Sequence, residues 1–282
     1  MKYSHLSRRQ FLARSSGLLA ASALATANEP TSETADASIP HVDLHVHLDN
    51  STIDAVAALA KERGVKFGIV DHAGTKENKY PTLLSNDAEL EAYADMLEGK
   101  GVWKGVQAEY TDWPKCFSKT AYKRLDYVLG DGMTMPGPDG QRMKLWEAGA
   151  ALGDAESFMD RYVEWHERRM TEDPIDIFAN TTWMPDAFMP QYDALWTEAR
   201  MKRVIDAAVK NDVALEICGG LRLPKMPFLT MAKAAGVKFS FGSNGRYPKM
   251  GQIEYCLEAA KTLNLTPKDI FVPGKSGPKA AQ

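Results

Sequence analysis

Between residues 41 and 245, seven short β-rich runs alternate with amphipathic stretches, and no other feature narrows the fold of this chain as much. The runs are HVDLHVHL, VKFGIVDH, VWKGVQAEY, LDYVLGDG, PIDIFANTT, VALEICGG and VKFSFGSNG. Segments such as IDAVAALAKERG, DAELEAYADMLEG, ESFMDRYVEWHERRM, DALWTEARMKRVIDAAVKN and IEYCLEAAKTLN separate or follow them, with apolar residues at helical spacing. Strand, helix, strand repeated along a chain implies a parallel sheet, because parallel neighbours need a long crossover. Such units can lie open as a doubly wound sheet or close into a barrel. Every run ends on a side chain that binds metal or hydrogen-bonds strongly: His45 and His47, Asp71 and His72, Glu109, Asp131, Asn180, Glu216, and Asn244. A barrel gathers all its strand C-termini at one face, whereas an open sheet uses only those at its switch point. The expected fold is therefore α/β: a seven-stranded (β/α) barrel in a single domain, with its site at the mouth.

The 282 residues, 44% hydrophobic and 25% charged, suit one large soluble core. Lys2, Arg8, Arg9 and Arg14 precede a short apolar run, Leu18 to Ala25, and an Ala25-Thr26-Ala27 site, so residues 1–27 read as a signal peptide. Ser7-Arg8-Arg9 followed by Phe11-Leu12 resembles a twin-arginine signal, the alternative being an ordinary secretory one. The twin-arginine export machinery is thus an expected partner, and the expected location is periplasmic or secreted. The apolar run is far shorter than the roughly 20 residues that span a bilayer, so no stable membrane anchor is expected. Residues 28–39 read as a linker, 40–272 as the barrel and 273–282 as a tail. The remainder is mildly acidic with no basic stripe, which argues against nucleic acid. Cys116, Cys218 and Cys256 form no CxxC pair; one disulfide or three buried thiols are both open.

HVDLHVHLDN carries the most chemistry. At a strand period of two, His41, Asp43, His45 and His47 share a face, placing the last two imidazoles side by side at the strand end. Borderline divalent metals favour neutral imidazole nitrogen, and two such ligands on one rigid strand are preorganised. His41, at the strand start, reads as structural.

This stretch resembles the opening motif of the polymerase and histidinol phosphatase (PHP) superfamily. GIVDH, GVQAEY, DYVLGD, DIFAN, ALEI, FSFGSNGR and the closing NLTPKDIF resemble later pieces of it in the same order, from about residue 40 to residue 272. The resemblance implies a distorted seven-stranded barrel holding up to three metals for phosphoester hydrolysis. It implies His45, His47 and Glu109 as first-site ligands, Glu109 bridging to a second metal, and His72 as a ligand of the third. Departures are substantial: Asp131 stands where a histidine is usual, Asn180 replaces another, and Asn244 and Arg246 replace an aspartate and a histidine. Leu48 and Asp49 lack the histidine expected after the first motif. Asparagine is a weak neutral oxygen ligand, and the fixed charge of Arg246 opposes a third ion. One or two ions of zinc, manganese or iron are therefore expected, with His45, His47, Glu109, His72, Asp131, Asn180 and Asn244 as the ligand candidates. LHVHLD is also similar to the opening of adenosine-deaminase-like amidohydrolases, but the later histidines of those barrels are missing.

The expected activity is metal-dependent hydrolysis, phosphoesterase-like, of a small anionic molecule. Asp71 or Asp131 would be the general base, Arg246 would hold an anionic oxygen, and Arg222 and Trp183 would contact substrate. The alternatives are a barrel that binds an anionic ligand without turnover and an amidohydrolase-like C–N hydrolase. Cys218, two residues after Glu216, reads as a buried thiol that could line the pocket. MTMPGPDGQRMKLW reads as a hairpin with a PDG turn over the active face, bringing Trp146 there.

Overall fold

The computed structural model describes residues 38–274 and 276–282. The expected signal peptide and nearly all of the linker lie outside the described residues. All seven β-rich runs are parallel strands of one sheet: β1 (Val42–Val46), β2 (Lys66–Ala73), β3 (Trp103–Ala108), β4 (Tyr127–Asp131), β7 (Ile177–Ala179), β8 (Ala214–Cys218) and β9 (Phe239–Gly242). Their order follows the chain, β1-β2-β3-β4-β7-β8-β9. β5 (Thr134–Pro136) and β6 (Arg142–Lys144) form the expected antiparallel hairpin directly after β4.

The sheet curls into a nearly closed barrel. The last and first strands meet just beyond their ends, where the His47 amide donates to the Gly245 carbonyl (2.9 Å) and the Gly245 amide donates to the His45 carbonyl (3.1 Å). Strands enclosed by helices on one side and by the barrel interior on the other should be apolar throughout, and β1, β4, β8 and β9 are buried at every residue. Tyr127 fills part of that interior. Its hydroxyl donates to the Leu44 carbonyl across the barrel (2.8 Å), and its ring lies against Gly105, where any Cβ would overlap it.

The outer layer is α1 (Ile53–Arg63), α2 (Asp87–Leu97), α3 (Lys119–Tyr122), α4 (Ala155–Glu172), α5 (Tyr192–Leu195), α6 (Glu198–Lys210), α7 (Met226–Ala234) and α8 (Glu254–Thr262). Local chemistry sets several boundaries. Thr52, Asn86, Asp154 and Thr197 each accept a backbone N–H with their side chains at a helix start. Thr197 also explains why DALWTEARMKRVIDAAVKN, which reads as one amphipathic stretch, is two helices: its cap begins a new helix after Trp196. None of the described helices is long and apolar enough to cross a membrane.

The segment expected as a free tail docks on the opposite end of the barrel. The Lys279 amide donates to Asp176, its ammonium donates to the Asn211 carbonyl (2.9 Å), and Ala280 is buried.

Candidate metal centre at the barrel mouth

Strand direction delivers the polar strand ends to one face. His47 and His72 point into the mouth with ring centroids 5.0 Å apart, and Gln107, Asp131, Asn180 and Asn244 line the same hollow of about 220 Å³. Tyr80, Met133 and Trp146 wall one side, and Arg246 borders another.

The histidines differ in what surrounds their nitrogens. His45 is fully committed: Nδ1–H donates to Glu216 (2.7 Å) and Nε2–H donates to Gln107 Oε1 (3.1 Å), whose amide in turn donates to Asp131 (3.1 Å). Burial works against charge on this ring, but the Glu216 carboxylate in contact with it outweighs burial, and its pKa is raised. Gly242 makes the contact possible, since a Cβ there would overlap the Glu216 carboxylate. His45 therefore tends to the imidazolium form, with no lone pair left for a metal.

His72 is held differently. Its Nδ1–H donates to Glu109 (2.7 Å), the Tyr80 hydroxyl donates to the other oxygen of that carboxylate (3.0 Å), and the Tyr80 ring stacks on the imidazole at 3.8 Å. A carboxylate on one imidazole nitrogen fixes the tautomer and leaves the other nitrogen as a ligand, the arrangement usual behind metal-bound histidines. His47 is barer still. It is 1% exposed, and among the described residues neither ring nitrogen has a hydrogen-bond partner of normal geometry, the Asn244 side chain being a neighbour outside it. Burial first, then the neighbouring His45, Arg246 and His72, hold its pKa well below the usual imidazole range, so it is neutral. A buried polar atom without a partner is costly, and a cation is one physical remedy.

His47, Asp49 and His72 bring one ligand atom each to within 4.8 Å of one another, the one such group among the described residues. Two imidazoles and a carboxylate suit a divalent transition ion, so the residues present fit a metal. Of the ligand set implied by the PHP resemblance, the structure brings His47 and His72 together. It places His45 against Glu216 and Glu109 against His72. Asp49 stands where the PHP resemblance implies a histidine, and its sequence signal is a carboxylate two residues past His47 at a strand end. Gln107 and Tyr80 carried no signal in the sequence, because only their partners define their roles.

Asp131 lines the mouth, accepting from Gln107, from Asn180 (3.3 Å) and from the Met133 amide (3.0 Å). Burial, then the nearby Glu109, push its pKa up to about 6. Asp71 is raised to about 6 by burial as well, but it alternates with His72 along β2 and so faces the helical layer. Arg246 donates to Asp49 (2.9 Å) and to Asn244 (3.0 Å). Asn180 (φ 51°) and Asn244 (φ 51°) are both in the left-handed region, which asparagine enters more readily than most side chains. Arg222 and Trp183 do not line the mouth: Arg222 pairs with Glu258 on the surface, and Trp183 packs against the core. All three cysteines are free, and Cys218 is buried away from the mouth lining.

A scan against protein-family models finds no match to this chain, and a search of curated proteins finds no significant relative. What fold and site define is an α/β single-domain protein: a nearly closed barrel of seven parallel strands with a potential His/Asp/His metal centre at its mouth.

Proposed function

We propose that this protein is an exported metal-dependent hydrolase, phosphoesterase-like in chemistry, acting on a small anionic molecule. The observation that carries the reading is His47, buried and neutral with two unpartnered nitrogens, beside Asp49 and the free nitrogen of His72. When bound, a divalent ion supplies Lewis-acid polarisation and activation of water. The chain supplies the rest. Glu109 and Tyr80 orient His72; Asp131, ionised above pH 6, takes a proton from the attacking water; Asn180 and Asn244 offer amide donors to substrate oxygens. Arg246 holds Asp49 in place and brings positive charge to the rim.

The Arg246–Asp49 pair also favours a second reading, in which the barrel binds an anion without turnover, because the guanidinium competes for a ligand carboxylate. Metal analysis after expression with zinc, manganese or iron should find about one equivalent, and His47→Ala with His72→Ala should lose it. A panel of phosphoesters and amides then separates the readings: turnover supports the hydrolase, and metal with anion binding alone supports the second. A metal-free wild type after metal-replete expression sinks the hydrolase, and the second reading falls if that protein also binds no anion. Export rests on the leader sequence; changing Arg8 and Arg9 together to Lys should retain the full-length chain in the cytoplasm.

A further inference from the structure

The hollow over the metal centre has a larger neighbour. A cleft of about 660 Å³ lies between the β5–β6 hairpin and residues 77–79, and the same three chain segments wall both spaces. Tyr80, Met133 and Trp146 face the inner hollow; Lys79, Thr134 and Lys144, each one or two residues away, face the outer cleft. Lys144 joins them physically, its ammonium lying 4.3 Å from the Tyr80 ring centroid and 5.7 Å from that of Trp146.

The outer cleft is rich in donors. Arg142 stacks on Tyr110 and is committed to Asp112, Glu77 and Asn78. Among the described residues the nearest carboxylate to Lys144 is Glu147 at 3.8 Å, beyond hydrogen-bonding distance, and Lys79 forms no ion pair. The Thr134 hydroxyl is buried there with no hydrogen-bond partner of normal geometry. Glu77 and Glu147 also line the cleft, but both are exposed, Glu77 is taken by Arg142 and Glu147 stands off Lys144, so two cations and a hydroxyl remain to meet anionic oxygens.

We propose that the outer cleft is an anion-binding subsite for the far end of an elongated ligand whose reacting end occupies the mouth. The inference rests on the mouth being a metal-dependent ligand site. The inner hollow, a third the size of the cleft, holds little more than the reacting group, so most of the ligand would lie under the hairpin. Carboxylate and phosphate share the required chemistry.

The test uses metal-loaded protein and calorimetric titration with inorganic phosphate, with alkane-α,ω-bisphosphonates of increasing length, and with the matching dicarboxylates. Once the chain spans both sites, affinity should rise about tenfold or more over the shortest member, as a second tethered contact does. Whichever headgroup shows the rise identifies the anion. Lys144→Gln, alone and with Thr134→Val, should abolish the rise while leaving the metal-dependent phosphate affinity and the melting temperature unchanged. An affinity independent of length, or a length dependence that survives both substitutions, overturns the subsite. Phosphate binding that depends on metal and is lost in His47→Ala with His72→Ala belongs to the mouth, so that component reports separately on the reading beneath.

Discussion

Asp131 is the residue whose environment makes the sharpest claim on activity. Burial and the Glu109 carboxylate raise its pKa to about 6, and a general base acts only when ionised. Because the ionised form is lost as pH falls through the folded-state pKa, kcat/KM should drop about tenfold per pH unit below about 6. Asp131→Asn should be slow at every pH, with that acid limb gone. An unchanged limb in the variant would take the base role away from Asp131. The same scale explains why the histidines could not be ranked from sequence. His45 and His47 are two residues apart on one strand, yet one ring has an acceptor at each nitrogen and the other has none. Their alternation onto one face was legible, since it depends only on strand period. Their difference in proton affinity was not, because Glu216, the partner that raises the His45 pKa, lies 171 residues away.

Among the elements, β3 and β4 decide whether the barrel can form around its filling. The Tyr127 ring occupies the volume a side chain at position 105 would need, so Gly105→Ala forces either the ring or the strand aside. Overpacking of this kind costs about 1–3 kcal/mol. Urea unfolding should show a lower midpoint at unchanged slope, and adding Tyr127→Leu should recover part of the loss. Full stability in Gly105→Ala alone would mean that Tyr127 does not sit against that strand. The seven strands and most helices were legible because apolar periodicity and side-chain caps are local signals. The break at Thr197 was hidden inside a continuous amphipathic pattern, and the short α3 carries too few residues for any period to show.

For the whole molecule, the mouth stores a cost that a bound ion would relieve. The folded barrel assembles His47, Asp49 and His72 from two strand ends, whereas the unfolded chain scatters them, so metal should bind the native state preferentially and stabilise it. At about 100 times Kd the gain is about 2.7 kcal/mol, a rise of several degrees in Tm that a chelator should reverse. His47→Ala should melt at the same temperature with and without metal; a shift that persists in the variant would place the ion elsewhere. Fold class and the face carrying the site were both readable in the amino-acid order, because alternating periods and polar strand ends recur locally along the chain. Tertiary structure alone decided which strand-end residues come together as a potential ligand set and which are held by other partners. Those roles are set by groups brought together across the chain, as when Arg246 meets Asp49 over 197 residues, and by the left-handed backbone at Asn180 and Asn244. An imidazole or carboxylate has no fixed role of its own; the partners facing its two polar atoms assign one, and only the folded barrel supplies those partners.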